Sequence, residues 1–233
     1  MSLPYFYEQH ISKEVSPFVL SEETSKHCVQ VLRMKIGEQL NLTDGKGNLF
    51  TASIVSADKK HCAVVIEAAT FTEPSGKKIS IAISLVKNTN RFEWFLEKTT
   101  EIGVSDIIPL LCNRTERQHF RFDRMNAVLI SAMLQSQQTW LPVLHSPCAF
   151  EEAVLQSQYK QKLIAHCEED KKNNITDLKI ENQVQILIGP EGDFSPEEIQ
   201  MALLQNYLPV TLGNTRLRTE TAGVVAATLL TNL

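Results

Sequence analysis

Val184-Gln185-Ile186-Leu187-Ile188-Gly189-Pro190-Glu191-Gly192 is the stretch of sequence that decides the fold. A short apolar run that breaks directly into a turn with glycine and proline is typical of a buried strand. A second loop, Leu212-Gly213-Asn214-Thr215-Arg216-Leu217-Arg218-Thr219-Glu220-Thr221-Ala222-Gly223, also follows a short apolar run. Because ligands of α/β proteins bind outside the carboxyl ends of parallel strands, we predict that the two loops form one ligand site.

From Ile79 onward, predicted strands alternate with predicted helices. The apolar runs predict strands over 79–86, 105–110, 162–165, 184–188 and 209–212. Helical spacing and capping signals predict helices over 90–102, 121–138, 150–156, 195–206 and 219–230. This alternation indicates an α/β fold with a parallel sheet covered on both faces.

The first seventy residues follow a different pattern. Alternating polar and apolar residues predict strands over 39–43, 49–55 and 62–66. Leu20 to Arg33 is predicted as a helix capped by Ser21, with Val29, Leu32 and also Cys28 as candidates for its buried face. These elements indicate a small β barrel or a curled sheet. A proline, a glycine and charged residues over 71–78 predict a linker, so we expect domains at 1–72 and 73–233.

Composition limits the classes of function. The 233 residues carry 23 basic and 27 acidic side chains, a net charge of −4, which argues against a general nucleic-acid coat protein. Nucleic-acid binding would need a local patch, for which Arg114, Arg117, Arg121 and Arg124 are one candidate group; a solvated basic face is the alternative. Apolar runs are too short for a membrane span and no secretory signal is visible, so we expect a cytoplasmic protein.

Five widely spaced cysteines, without a C-x-x-C pair, predict reduced thiols and no metal site. The Gly-Pro-Glu-Gly turn is a poor phosphate cradle, because Pro190 lacks an N–H donor and Glu191 repels anions. It suits a ligand that needs backbone donors and acceptors and one carboxylate, such as an adenosine with an amino-acid tail. Small apolar residues over 222–227 predict that the last helix is either a plain core helix or packs partly against a second subunit.

Several motifs together carry a resemblance to a known family. Gly189-Pro190-Glu191-Gly192, Phe194-Ser195 and Arg216-Leu217-Arg218-Thr219-Glu220-Thr221-Ala222 resemble the signature of the RsmE-type 16S ribosomal RNA (uracil-N3)-methyltransferases. Glu97-Lys98-Thr99-Thr100-Glu101-Ile102-Gly103-Val104 resembles a further segment of that family, and His27, Val31-Leu32-Arg33 and Asp44-Gly45-Lys46-Gly47 resemble its amino-terminal domain. The resemblance covers nearly the whole chain.

This resemblance implies a PUA-like β barrel that holds RNA, over 1–72, and a SPOUT methyltransferase domain with a trefoil knot, over 73–233. It implies S-adenosylmethionine as the methyl donor, held in a bent form in the knot. The substrate implied is 16S ribosomal RNA within the small ribosomal subunit, methylated at N3 of one uracil. The family resemblance also implies a homodimer, and neither a metal nor a membrane is expected.

The resemblance and the loop positions together give candidate site residues. For donor binding these are His166, Cys167, Leu187, Gly189, Pro190, Glu191, Gly192, Leu212, Gly213, Leu217, Thr219, Thr221 and Ala222. Arg218 is the candidate for stabilising negative charge on the uracil carbonyls, and Glu220 is the candidate base or positioning residue. A structural ion pair of Arg218 with Glu220 is the alternative. Candidate RNA contacts are Arg33, Arg91, Arg114, Arg117, Gln135 and Arg216.

Some positions depart from the family pattern. Leu134-Gln135-Ser136-Gln137-Gln138 lacks the glutamate and the arginine of the commoner Glu-Gln-x-x-Arg motif, and Asp193 replaces a more usual glycine. These changes affect the expected RNA contacts more than donor binding. Two other functions stay open at this point: a SPOUT enzyme acting on transfer RNA, and a non-catalytic RNA-binding assembly protein.

Overall fold

The computed structural model describes residues 3–116, 118–168 and 172–233. The chain divides into two compact units. The first unit contains the residues up to Pro74 together with Met133–Leu141, and the second contains Ser75–Ala132 and Pro142–Leu233. The segment Met133–Leu141 lies in the range 73–233 that the sequence assigns to the second domain, but in the structure it packs with the first unit.

In the first unit a curled, mostly antiparallel sheet carries the core. Its strands, in the spatial order β1-β3-β4-β5-β2, are β1 (Tyr5–Tyr7), β2 (Phe18–Val19), β3 (Gln39–Thr43), β4 (Asn48–Ser56) and β5 (Ala63–Phe71). Alternate residues point to one face and bury Leu40, Leu42, Phe50, Ala52 and Ile54.

Two register shifts in the β4–β5 ladder, at Thr51/Ala52 and Ile54/Ser56, increase the twist of this sheet and curl it. Over the described residues no ladder joins β1 to β2, so the curled sheet matches the pairings better than the closed barrel.

The helix predicted over 20–33 is interrupted. It begins as α1 (Glu22–Lys26), with the Ser21 hydroxyl accepting from the Thr24 N–H as expected for a cap, and continues as a π-helical turn over His27–Val31. The prediction that Leu32 is buried is wrong, since it is 45% exposed while Cys28 is fully buried. A π turn holds more residues than an α turn, which rotates the following side chains away from the core.

The second unit contains the predicted parallel sheet. Its strands, in the order β11-β13-β10-β12-β6-β7-β8 with β9 also beside β7, are β6 (Lys78–Ser84), β7 (Asp106–Leu111), β8 (Val143–Leu144), β9 (Cys148–Ala149), β10 (Gln161–Ala165), β11 (Asn173–Asn174), β12 (Gln183–Ile188) and β13 (Leu208–Thr211). Each ladder of this sheet in the described residues is parallel, which confirms the α/β prediction.

Helices connect these strands. They are α2 (Thr89–Ile102), α3 (Phe122–Gln135), α4 (Phe150–Leu155), α5 (Pro196–Leu204) and α6 (Thr219–Asn232), with a 3₁₀ turn at Ile175–Asp177. Asn88 caps α2 and Gly103 ends it with φ 95°, while Ser195 and Glu198 form the predicted capping box of α5. None of the helices in the described ranges is long and apolar enough to cross a bilayer.

The prediction that α3 continues to Gln138 is wrong. The Gln138 N–H bonds to the Met133 carbonyl and the Gln137 N–H to the Leu134 carbonyl, with φ 55° at Gln137. This bonding pattern is a Schellman motif, which ends the helix at Gln135. Sequence reasoning missed it because a glutamine stands where a glycine normally marks such an end.

Candidate active site

The site lies where three loops meet at one edge of the parallel sheet. β10, β12 and β13 belong to the same parallel sheet, and the carboxyl ends of parallel strands point to the same edge. Loops therefore leave this edge after Ala165, Ile188 and Thr211. The turn after β12 and the loop before α6 line a common cavity, as the sequence predicts for a shared site.

A first cavity of about 330 Å³ opens between these loops. It is lined by Ala165, Cys167, Ile188, Gly189, Pro190, Glu191, Asp193, Arg216, Leu217, Arg218, Thr219 and Ala222. A second cavity of about 350 Å³ shares Ala165, Cys167, Arg216, Leu217 and Ala222 with it. The remaining lining of the second cavity is His166, Lys172, Val210, Thr211, Leu212, Gly213, Asn214 and Thr215. Each volume lies in the range of small-molecule sites, and the shared wall makes the two cavities adjoining.

The turn after β12 is held by its own backbone. The Asp193 N–H donates to the Pro190 carbonyl at 2.9 Å, and Asp193 has φ 65°. A side chain at Gly189 would place its Cβ 3.2 Å from the buried ring and the backbone nitrogen of Phe194. The glycine therefore allows the turn to fold back against Phe194.

Side chains from other elements fix the same turn. The Arg114 guanidinium donates to the Gly192 carbonyl at 2.7 Å and to the Phe194 carbonyl at 3.3 Å. Glu191 accepts from the Lys87 N–H at 3.1 Å through its Oε1. A hydrogen bond from Lys87 to Glu116 raises the pKa of that ammonium, which adds a charged pair beside the turn. These contacts anchor the turn to other parts of the second unit.

The loop after β13 leads into α6 and carries two exposed arginines. Arg216 and Arg218 both line the first cavity, and Arg218 is the residue that precedes α6. The Thr219 hydroxyl donates to the Gly189 carbonyl at 2.9 Å, which ties the start of α6 to the turn after β12. Gly213 has φ 145°, a conformation that favours glycine, and its carbonyl accepts from the Thr211 hydroxyl at 2.8 Å.

Glu220 is buried and paired. Its side chain is 6% exposed, and its Oε1 lies 3.6 Å from the Nε of Arg91 on α2. The structure therefore pairs Glu220 with Arg91, a predicted RNA contact, and not with Arg218. Glu220 is absent from the lining of both cavities.

The predicted donor residues fall into two groups. His166, Cys167, Gly189, Pro190, Glu191, Leu212, Gly213, Leu217, Thr219 and Ala222 line one or both cavities. Leu187, Gly192 and Thr221 line neither. Leu187 is fully buried within β12, where Ile164 and Ala82 are its strand neighbours, and Ile188 is the residue that reaches the first cavity.

Sequence reasoning missed several lining residues. Ala165, Ile188, Lys172 and Asp193 belong to the walls, and the sequence marks Asp193 only as a departure from the family pattern. The position of Ala165 and Ile188 as the last residues of strands was the signal that could have found them. Lys172 donates to the His166 carbonyl at 2.7 Å, a contact that no sequence pattern predicts.

The predicted RNA contacts are distributed over both units. Arg33 and Gln135 are exposed and both belong to the first unit. Arg33 has φ 56°, and Gln135 is the last residue of α3. Arg91, Arg114 and Arg216 belong to the second unit, and Arg117 lies outside the described residues. In the described part of the chain no group of three His, Cys, Asp or Glu side chains is placed to hold a metal. All five cysteines are free.

Known proteins share both the sequence pattern and the fold. A family model for an RNA methyltransferase domain matches residues 73–231, and a model for an RNA methyltransferase PUA domain matches residues 20–67. Ribosomal RNA small subunit methyltransferase E of Buchnera aphidicola (subsp. Acyrthosiphon pisum) is 30% identical over 232 residues, covering 91% of this chain and 87% of that protein.

Solved structures agree. A crystal structure of a "probable rRNA-methyltransferase" from Porphyromonas gingivalis is 38% identical, with a TM-score of 0.89, and covers 97% of this chain and 95% of that chain. The ribosomal RNA small subunit methyltransferase E of Neisseria gonorrhoeae, solved bound to S-adenosyl methionine, is 27% identical with a TM-score of 0.87 and covers 97% and 95%. The family matches confirm the resemblance seen in the sequence. The chain therefore belongs to the RNA methyltransferase family, with that family's PUA domain in its amino-terminal part.

Proposed function

We propose that this protein transfers the methyl group of S-adenosylmethionine to N3 of a uracil in 16S ribosomal RNA. The observation that carries the proposal is the pair of adjoining cavities at the carboxyl ends of β10, β12 and β13, with two arginines on the shared loop. The family membership and the donor-bound relative from Neisseria gonorrhoeae support the same chemistry. A SPOUT domain with a trefoil knot over 73–233 and a PUA-like RNA-binding domain over 1–72 go with this function.

The donor occupies the two cavities together. Backbone groups of Gly189, Leu212 and Leu217 offer donors and acceptors to the adenine and ribose, because loop residues beyond a strand have N–H and C=O groups outside the strand ladders. Glu191 lines the first cavity and supplies a carboxylate for the ribose hydroxyls. His166, Cys167, Pro190, Gly213, Thr219 and Ala222 complete the walls.

Arg218 stabilises the charge that develops on the substrate. Methyl transfer requires the uracil nitrogen in line with the sulfonium, and that nitrogen loses its proton before or during attack. Negative charge then spreads onto the flanking carbonyl oxygens. Arg218 is exposed on the wall of the first cavity, where its guanidinium can donate to such an oxygen.

Glu220 acts as a positioning residue. Of the two roles that the sequence left open, base or positioning residue, its burial and its pairing with Arg91 favour the second. A buried carboxylate that lines neither cavity is poorly placed to take the uracil proton. Water at the open mouth of the cavity is the proton acceptor that fits this arrangement.

RNA is bound by local basic residues, since the net charge is −4. Arg33 and Arg216 are exposed and are the contacts we favour for phosphates. Arg91 and Arg114 are engaged within the protein and contribute mainly to the shape of the site. Arg117 and Gln135 complete the proposed set.

The protein acts as a homodimer on the small ribosomal subunit, in the cytoplasm. Val224, Val225 and Leu229 leave part of α6 apolar and incompletely covered within one chain, which suits a second copy. Sedimentation equilibrium would test the homodimer by giving a mass of about twice 26.2 kDa. A mass of one chain at micromolar concentration would contradict it.

Calorimetry with S-adenosylmethionine, paired with mass spectrometry of small subunits after incubation, tests the function. We expect donor binding and the appearance of N3-methyluridine in 16S ribosomal RNA. Donor binding with the methyl group appearing only in transfer RNA would contradict the substrate. RNA binding without donor binding would identify a non-catalytic assembly protein.

A further inference from the structure

Asp193 bridges two of the three loops at the site. Its Oδ2 accepts from the N–H of Cys167, on the loop after β10, at 2.7 Å. Its Oδ1 accepts from the N–H of Phe194, on the turn after β12, at 2.9 Å. Both bonds are charge-assisted, a kind of hydrogen bond about twice as strong as a neutral one.

The backbone of Asp193 has a conformation that few residue types other than glycine adopt. Asp193 has φ 65°, in the left-handed region that most residues avoid and that glycine adopts freely. Aspartate is one of the few other types that tolerate it, because a short side chain can bond to nearby backbone. The two accepted hydrogen bonds offset the unfavourable conformation.

The residues that this carboxylate joins are walls of the first cavity. Cys167 and Asp193 both line it, on different loops. Since Thr219 joins the third loop to Gly189, the pair of contacts links all three loops into one rim. The Cys167 side chain is itself exposed, so the hydrogen bond of its N–H, and not packing of that side chain, ties this residue to the turn.

We propose that Asp193 is a positioning residue for the methyl donor, whose carboxylate holds the Cys167 loop against the turn after β12 so that the cavity has its binding shape before the donor arrives. The inference rests on the donor site given under Proposed function. A cavity that is preformed binds without the ordering free energy that loose loops would require.

The expected effect follows from that preformation. When only a fraction of molecules has the competent cavity, the apparent dissociation constant rises by the inverse of that fraction. Removing both hydrogen bonds should therefore raise the Kd and the KM for the donor about tenfold, while kcat at saturating donor stays within about twofold.

Three variants make the test. Asp193→Gly removes both bonds and also relieves the backbone strain, so the Tm should stay within about 2 °C of the native value or rise. Asp193→Asn keeps one acceptor oxygen at the same backbone position and should weaken donor binding about threefold. Asn206→Gly is the matched control, because Asn206 also has a positive φ (64°), is exposed and lines neither cavity.

Calorimetry with S-adenosylmethionine and hydrogen exchange of the Cys167 amide are the two measurements. We expect weaker donor binding and faster Cys167 exchange in Asp193→Gly, with neither change in Asn206→Gly. Donor affinity within twofold of the native protein, or a Tm loss above about 5 °C that accompanies the weaker binding, would overturn the proposal. If the native protein binds no donor while its Cys167 amide is protected from exchange, the proposed donor site is contradicted. The hydrogen bond between Asp193 and Cys167 is then still supported.

Discussion

At the scale of the residue, the two arginines of the loop before α6 should have separable roles. We expect Arg218→Ala to lower kcat about 100-fold, the usual loss when one donor to a developing negative charge is removed, with donor affinity changed less than about threefold. Single-turnover methylation of small subunits and calorimetry measure the two quantities. Equal losses in kcat and in donor binding would instead make Arg218 a donor ligand.

Arg216→Ala is the companion variant on the same loop. It should weaken RNA binding and reduce its salt dependence, because Arg216 is proposed to contact phosphate. Donor affinity should change less than RNA affinity, although Arg216 also lines both cavities. Filter binding of 16S ribosomal RNA fragments over a salt series would measure this.

The pair of Glu220 with Arg91 belongs to the same scale. Removing Arg91 leaves a buried carboxylate without its charged partner, so Arg91→Ala should destabilise the fold by about 1–2 kcal/mol, a figure reduced by the partial exposure of the arginine. The double variant Arg91→Ala/Glu220→Gln should lose less unfolding free energy than the sum of the losses in the two single variants. Urea denaturation of all four proteins tests this, and additive losses would contradict the pairing.

At the scale of the element, α6 depends on the absence of a side chain at Gly223. A Cβ there would lie 2.5 Å from the Phe95 ring of α2 and 2.9 Å from Ile83 of β6, and both side chains are fully buried. Alanine normally favours a helix over glycine by about 1 kcal/mol, but overpacking a core costs about 1–3 kcal/mol. We expect Gly223→Ala to lower stability by about 1 kcal/mol, which denaturant unfolding measures.

Gly76→Ala is the control for that variant. No atom lies within 4 Å of the Cβ it would add, and its φ is outside the left-handed region. Its unfolding free energy should stay within about 0.5 kcal/mol of the native value. A Gly223→Ala protein as stable as this control would show that α6 can shift away from α2.

At the scale of the whole molecule, a polar cluster at the amino ends of the parallel strands stabilises the sheet. Asp106 is buried and accepts from the Tyr159 hydroxyl at 2.8 Å, with His145 at 3.1 Å and Lys78 at 3.4 Å. Burial acts to raise the pKa of Asp106, but the hydrogen bonds from His145 and Tyr159 and the charge of Lys78 lower it below 3.8. The charged form is therefore favoured by folding.

The pH dependence of stability follows from the sign of that shift. A depressed carboxylate pKa contributes stability above its unfolded value near 3.8, and that stability is lost as the pH falls through the lower folded pKa. We expect Asp106→Asn to destabilise the protein by about 2 kcal/mol at pH 7. The difference in unfolding free energy between this variant and the native protein should become smaller below pH 3.8. Urea unfolding from pH 7 to pH 3 tests this.

Asp177→Asn, at an exposed position, is the control and should change stability by less than about 0.5 kcal/mol at either pH. If the difference in unfolding free energy between Asp106→Asn and the native protein is the same at every pH, Asp106 contributes through packing and not through its charge. Donor affinity should be unaffected, because the cluster lies at the opposite ends of the strands from both cavities.

The sequence by itself determined most of the longer strands and helices and predicted that the loops after β12 and β13 lie together. Short apolar runs such as Val184–Ile188, the Ser195 cap and Gly103 are local signals, because strand burial, capping and a left-handed helix end depend on neighbouring residues. The sequence alone predicts that the loops after β12 and β13 lie close together, since parallel strands put their carboxyl ends at one edge of the sheet.

Only the tertiary structure decided which polar groups meet. Asp193 and Cys167 are 26 residues apart and Arg114 and Gly192 are 78 apart, while Arg91 and Glu220 lie on different helices. No local pattern encodes such pairs, because they depend on how the strands are ordered in the sheet. The π turn after α1 and the early end of α3 escaped prediction for a related reason: their backbone is set by bonds and packing that override the propensity of each residue.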